Sequence, residues 1–118
     1  MGFKIDRIST DVQRELTAIL RTVKDPRVSE YMLSIVHVDV TNDLSYAKVY
    51  VGAMEGYEAA VKAVSGLKSA AGYIRRELGS RLSLRKVPEL RFVADNSIEH
   101  SAEITRMIDR LNGDEKND

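Results

Sequence analysis

Two helical patterns that meet at small residues constrain the fold of this chain most. Apolar residues recur every three or four positions from residue 57 to residue 71, and again at Ile74, Leu78 and Leu82. This spacing is typical of helices. The patterns meet at Ala70-Ala71-Gly72, where glycine tolerates an unusual backbone and close approach by another molecule. The sequence therefore predicts a kink at which a phosphate backbone can reach the N–H groups that begin the second helix.

Positive charge is concentrated around this kink. Residues 62–91 carry eight basic and two acidic side chains, a net charge of +6, although the 118-residue chain as a whole has none. A glycine-containing joint in an ordinary helical hairpin, with solvated basic residues, is the alternative interpretation of the small residues alone. Clustered charge instead indicates an anionic partner, most often nucleic acid. The basic residues of this segment are Lys62, Lys68, Arg75, Arg76, Arg81, Arg85, Lys86 and Arg91.

Composition argues against several classes of protein. The chain has no cysteine, which excludes disulfides, thiolate metal sites and cysteine nucleophiles. It has no run of eighteen apolar residues and no apolar block at its N-terminus, so we expect neither a membrane span nor a signal peptide. His37 and His100 lack partners at metal-binding spacing, and no nucleophile or phosphate-loop motif occurs. We therefore expect a cytoplasmic protein that is not an enzyme and holds no metal or cofactor.

The remaining patterns predict a single α+β domain. A helical repeat from Ile5 to Val23 stops at Asp25-Pro26, because the residue before proline is disfavoured in the α region. Alternating β-branched runs at 33–41 and 46–53 flank a turn and predict a hairpin.

After the helical pair, a third strand is predicted at residues 90–95 and a last helix near residues 98–111. The third strand should return parallel to a hairpin strand through the two-helix crossover. We expect a three-stranded mixed sheet with helices on one face, formed by residues 1–112. Residues 113–118 should be a flexible acidic tail.

Alternation within the hairpin predicts which side chains share a face. One face should be apolar and the other mixed, so helices should cover only one side. The mixed face is either a base-stacking platform for RNA or an ordinary exposed face stabilised by cross-strand aromatics. The expected apolar face carries Val36, Val38, Val40, Ala47, Val49 and Val51, and the other face carries Ile35, His37, Asp39, Tyr46, Lys48 and Tyr50.

Short motifs along nearly the whole chain suggest a family. They are Arg7-Ile8 through Glu15-Leu16, Asp25-Pro26-Arg27, Ala47-Lys48-Val49-Tyr50, Ala70-Ala71-Gly72-Tyr73-Ile74-Arg75 with Glu77-Leu78-Gly79, Leu84-Arg85-Lys86-Val87-Pro88-Glu89-Leu90, and Asp95-Asn96-Ser97-Ile98. In order and spacing, these motifs resemble the bacterial ribosome-binding factor A family. The resemblance implies a type II KH-like fold, α-β-β-α-α-β, followed here by a C-terminal helix.

The resemblance also implies a function without catalysis. Members of this family bind the immature 30S small ribosomal subunit and its 16S rRNA precursor. They aid late maturation, including processing of the 5′ end, and are linked to growth in the cold. A ribosome-associated GTPase or another assembly factor is the implied release partner, and we expect a monomer that does not bind membranes. The alternative is a protein-interaction module that uses the open sheet face or the apolar side of the last helix.

The same resemblance assigns candidate RNA contacts. KH domains clamp a nucleic-acid backbone with a G-x-x-G loop, which this family replaces with an A-x-G kink, matched here by Ala70, Ala71 and Gly72. At 100° per residue, Arg76 lies opposite the apolar stripe of its helix and should be the most exposed arginine, whereas Arg81 should be the most structural. The predicted phosphate contacts are Lys68, Arg75, Arg76, Arg81, Arg85 and Lys86.

Overall fold

The helices and strands follow one another in the predicted order, with one additional short helix. The computed structural model of the protein describes the backbone of residues 2–116 and the side chains of residues 7–97 and 103–112. The α-β-β-α-α-β order with a last helix is confirmed, and a short helix is added after the first. The elements are α1 (Gly2–Leu20), α2 (Pro26–Ser29), β1 (Leu33–Val40), β2 (Tyr46–Ala53), α3 (Tyr57–Ser69), α4 (Ala71–Leu82), β3 (Glu89–Ala94) and α5 (Ser97–Lys116).

The added helix, α2, begins where the sequence predicted only an end. Helix α1 stops at Leu20, and Asp25 then caps α2 by accepting a hydrogen bond from the backbone N–H of Arg27 at 2.9 Å. Pro26 occupies the first helical position, which suits its fixed φ and missing N–H. The Asp-Pro pair is therefore a helix start as well as a barrier to the preceding helix.

The sheet has the strand order β1-β2-β3. Strands β1 and β2 are antiparallel, whereas β2 and β3 are parallel, which confirms the predicted mixed sheet. Ala47, Val49 and Val51 are fully buried under the helices, as the alternation in β2 predicts.

In β1, the predicted faces are wrong at the start of the strand. The pairing register shifts between Ile35 and His37, and the extra residue of such a bulge reverses the alternation. Ile35 is consequently buried, with 6% of its surface exposed, while Val36 is 38% exposed. Val38 and Val40 lie on the buried face as predicted.

The helix α3 packs on the sheet through small residues. Ala59, Ala60 and Ala63 are buried on this helix, whereas Tyr57 and Val61 are 43% and 46% exposed. The spacing of the larger apolar residues therefore predicted the helix correctly, but of that stripe only Val64 and Leu67 are buried, and alanines complete the buried face. The core that joins α1, α3 and α4 to the sheet includes Leu16, Ile19, Val64, Leu67, Ile74 and Leu78.

Residues 103–112 of the last helix lie outside this core. All its described side chains from 103 to 112 are exposed, including an apolar stripe at i, i+3, i+4 and i+7. The radius of gyration is 17.2 Å, against about 13.5 Å for a compact domain of this length. The helix continues to Lys116, residues 117–118 lie outside the described part, and the flexibility of the tail stays a prediction. The stripe consists of Ile104, Met107, Ile108 and Leu111.

Helix α4 ends at a residue whose backbone is in the left-handed helical conformation. Ser83 has φ 51° and ψ 39°, a conformation that costs a residue with a Cβ atom about 1 kcal/mol. We expect Ser83→Gly to raise the free energy of unfolding by about 0.5–1 kcal/mol in urea denaturation. The control Ser80→Gly, inside the same helix, should lower it by a similar amount. If both variants lost the same free energy of unfolding, the assigned end of α4 at Ser83 would be contradicted.

Candidate RNA-binding surface

The α3–α4 junction (residues 69–72) is a one-residue break between two helices. Ala70 has φ −95° and ψ 7°, and no side chain caps the first turn of α4. The N–H of Ala70 still donates to the carbonyl oxygens of Gly66 and Leu67, each at 3.1 Å, and Ile74 donates to the Ala70 oxygen at 3.0 Å. A backbone N–H group at the break also donates to the carbonyl oxygen of Lys68, so α3 already engages part of the donors there. The first N–H groups of a helix have no acceptor within that helix, and those that α3 does not engage can donate to an anion.

Gly72 lies in open space at this turn. A Cβ atom added there would meet nothing within 4 Å, whereas one at Gly66 would fall 2.9 Å from Val28 Cγ2 and one at Gly79 2.6 Å from Val87 Cγ2. Packing thus accounts for glycine at 66 and 79 but not at 72. The space above Gly72 is available to a ligand.

The three arginines of α4 differ in what they contact. Arg75 donates to the Val87 carbonyl oxygen from Nε at 3.2 Å and from Nη2 at 2.7 Å, which ties α4 to the segment before β3. Arg81 lies 3.6 Å from Glu15 and 3.8 Å from Glu77. Arg76 is exposed and has no ion pair with any residue in the described part of the chain. Of these arginines, Arg76 is the one whose guanidinium is engaged by neither an ion pair nor a hydrogen bond with the described residues.

The remaining predicted contacts lie at two places. Lys68 is exposed one residue before the junction. Arg85 and Lys86 follow the far end of α4, which is about 18 Å long. The fold therefore brings Lys68, the small residues and Arg76 together but leaves Arg85 and Lys86 at a distance.

Lys86 is partly engaged by the hairpin turn. Its Nζ donates to Ser45 Oγ at 3.2 Å and to the Asp43 carbonyl oxygen at 3.4 Å. Hydrogen bonds from Ser45, and then from Thr41, lower the pKa of the Asp43 carboxyl to about 2, with a smaller contribution from the charge of Lys86. Asp43 is thus ionised at neutral pH and offsets part of the positive charge of Lys86.

Sequence reasoning missed a second group of residues beside the junction. The hydroxyls of Thr22 and Tyr73 are 2.7 Å apart, and Arg27 donates to Ser65 Oγ and Ser69 Oγ, each at 3.3 Å. No sequence pattern indicates the Thr22 contact, because the two residues are 51 positions apart. The capping signal of the Asp-Pro pair was the available sign that structure begins again near Arg27.

The open face of the sheet presents aromatic rings paired with cations. The Arg91 guanidinium lies 4.0 Å from the centre of the Tyr46 ring, and the Lys48 ammonium lies 5.1 Å from that of Tyr50. Beside them, His37 Nε2 and Asp39 Oδ1 are 2.6 Å apart. Acidic and basic side chains are mixed here, without the positive excess around α4. The base-stacking and ordinary-surface interpretations of this face both stay predictions.

The described part of the chain has the features of neither a metal site nor a membrane span. Its His, Asp and Glu residues form no group of three that could hold a metal ion. None of its helices combines the length and apolarity needed to cross a membrane.

Comparison with known proteins shows the family of the chain. The chain matches the model of ribosome-binding factor A over residues 4–108. It is 48% identical to ribosome-binding factor A of Acetivibrio thermocellus over 114 residues, 96% of this chain and 92% of that protein. It is 43% identical to that of Caldanaerobacter subterraneus, over 100% of this chain and 97% of the relative.

Solved structures agree with this match. The crystal structure of ribosome-binding factor A from Thermus thermophilus is 26% identical, has a TM-score of 0.67, and aligns over 76% of this chain and 93% of that one. A homology model of Thermus thermophilus ribosome-binding factor A, fitted into a cryo-EM map of its 30S complex, is 27% identical, with a TM-score of 0.60, over 72% of this chain and 88% of that one. The chain therefore has a type II KH-like fold and belongs to the ribosome-binding factor A family.

Proposed function

We propose that this protein is a ribosome assembly factor that binds the immature 30S subunit through the backbone of its 16S rRNA precursor. In this role it aids late maturation and 5′-end processing, including during growth in the cold, and acts in the cytoplasm as a monomer without catalysis. A ribosome-associated GTPase or another assembly factor promotes its release. Family membership supports the ribosomal partner, and so does the 30S complex of the Thermus thermophilus protein.

One observation carries the proposed RNA site: a glycine that the fold does not require lies at an uncapped helix start among free cations. The uncapped N–H groups and Arg76 suit a phosphate group, and Gly72 leaves room for its approach. Phosphate contacts of this kind position a protein on RNA without selecting a base sequence. The predicted contacts are Lys68, Ala70, Ala71, Gly72, Arg75, Arg76, Arg81, Arg85 and Lys86.

Co-sedimentation with purified small ribosomal subunits over a salt series tests this function. We expect binding to the small subunit but not to the large one, with affinity that falls steeply as salt rises, because bound phosphates release counterions. Salt-insensitive binding would instead favour a protein-interaction module, for which the exposed apolar stripe of α5 and the open sheet face are the candidate surfaces. Absence of binding to either subunit would refute the assembly-factor function.

The substitution Gly72→Ala tests RNA binding independently of the stability of the fold. The added methyl meets no protein atom, so the variant should gain about 0.5–1 kcal/mol in free energy of unfolding. We expect its affinity for small subunits to fall roughly tenfold, because the methyl group occupies the space of the phosphate, a loss of about 1.4 kcal/mol. The measurements are urea denaturation and co-sedimentation.

Gly79→Ala is the matched control, since its methyl would lie 2.6 Å from Val87 Cγ2. It should lose stability by about 1–3 kcal/mol, while the folded fraction keeps its affinity. A stabilised Gly72→Ala variant that binds as well as wild type would exclude close approach at the junction.

A further inference from the structure

The loop between α1 and α2 (residues 21–25) is fixed beside the α3–α4 junction from both sides. Before the junction, Arg27 Nη2 donates to the hydroxyl of Ser69, the last residue of α3, at 3.3 Å. After the junction, the hydroxyls of Thr22 and Tyr73 are hydrogen bonded at 2.7 Å, and Tyr73 belongs to the first turn of α4. The two contacts hold the loop next to the break between the helices.

Arg27 is itself held in place. Both carboxylate oxygens of Asp25 accept hydrogen bonds from its guanidinium, the shortest being 2.6 Å, and these bonds lower the pKa of Asp25. Below it, Gly66 allows α2 to contact α3 directly, because a Cβ there would lie 2.9 Å from Val28 Cγ2 and 3.1 Å from Arg27 Cβ. Helix α2 and the loop before it are therefore a packed part of the fold.

The α1–α2 loop adds positive charge beside the α3–α4 junction. Lys24 lies between the two residues that fasten the loop, Thr22 and Arg27, whereas Arg21 lines a cavity beside Leu33 and Ile35 of β1. Both cations are exposed, and neither has an ion pair among residues 7–97 and 103–112. Free cations that a fold holds next to a phosphate site strengthen binding by long-range attraction and by direct contact.

We infer that the α1–α2 loop is the second wall of the RNA site at the α3–α4 junction. Lys24 contacts a phosphate group of the RNA strand that Arg76 contacts from α4. Asp25 and Arg27 are positioning residues, which hold the loop at the distance that this requires. The inference rests on the proposed function and goes beyond it, because it assigns binding to a segment outside the basic stretch of residues 62–91.

Lys24→Glu tests the inference against a matched charge reversal in α1. We expect this variant to bind small subunits about tenfold more weakly, with the slope of log affinity against log salt reduced by about one. The control is Arg7→Glu, about 20 Å from the C-terminal end of α1 at Leu20. This separation exceeds the Debye length of about 8 Å at physiological salt, so Arg7→Glu should bind like wild type.

Tyr73→Phe tests the role of the loop position, because it removes one hydroxyl and no charge. We expect several-fold weaker binding and a smaller salt slope, since Lys24 is no longer held at the phosphate. A variant that loses only thermal stability and keeps its salt slope would show that the contact is merely structural, which overturns the assigned positioning.

The failure of this inference is distinguishable from that of the proposed function. If Arg76→Glu weakens binding while Lys24→Glu and Arg7→Glu bind equally well, the loop is not part of the site and the function stands. If wild-type protein binds no small subunits, both are wrong.

Discussion

Reversal of two free cations, in the variant Arg76→Glu/Arg85→Glu, should weaken binding to small ribosomal subunits by about a hundredfold near 0.1 M salt. Each substitution removes a charge-assisted bond to a phosphate and adds repulsion. The salt dependence should also become shallower, by about one unit of slope for each phosphate that the variant no longer binds. Co-sedimentation over a salt series measures both quantities.

This pair is chosen because neither arginine supports the fold through an ion pair with the described residues. Surface substitutions of this kind change stability by no more than about 0.5 kcal/mol. Arg75 is a poorer choice, because its two hydrogen bonds to the Val87 oxygen would disappear together with its charge. A loss of binding by the chosen variant therefore reports on RNA contact.

The matched control reverses two cations on the opposite face, in the variant Lys48→Glu/Arg91→Glu. Its net charge equals that of the first variant, so any effect of total charge is the same in both. If the control weakens binding as much, general electrostatic attraction explains the result and the α4 surface has no special role. If the control alone weakens binding, the RNA lies on the open sheet face around Tyr46 and Tyr50.

Periodicity predicted the elements because each one repeats its own pattern. The three strands and the α3–α4 pair are visible in the sequence, and the crossover rule then fixes the parallel pairing of β2 with β3. The bulge at Ile35 was not predictable, because one inserted residue interrupts the alternation without any change in residue type. The buried face of α3 was only partly predicted for a related reason: beside Val64 and Leu67 it uses alanines, which a count of large apolar residues ignores.

For the candidate site too, some features could be predicted from the sequence and others could not. The uncapped start of α4 and the exposure of Arg76 follow from local spacing and helix geometry, and the sequence predicted both. The bonds of Arg75 to Val87 and of Thr22 to Tyr73 join segments 12 and 51 residues apart, so no local pattern contains them. These bonds decide which cations are free and which segments flank the junction.

The substitution Leu16→Ala should lower the free energy of unfolding by about 2–5 kcal/mol. Leu16 is fully buried in the core that joins α1 to α4 and the sheet, so truncation removes apolar burial and also leaves a cavity. Domains of this size are stable by only about 5–15 kcal/mol, and the variant would lose a large part of that margin. Urea denaturation followed by circular dichroism measures the change.

Leu111→Ala makes the same change on α5, where the side chain is 65% exposed, and should alter stability by at most about 0.5 kcal/mol. Comparison of Leu16→Ala with Leu111→Ala also tests whether α1 can hold the α1–α2 loop beside the α3–α4 junction, since the position of the loop depends on the packing of the helix before it. A small effect of Leu16→Ala would mean that α1 is loosely attached, and the second wall of the site would lose its support. A large effect of Leu111→Ala would mean that the stripe on α5 is covered in solution.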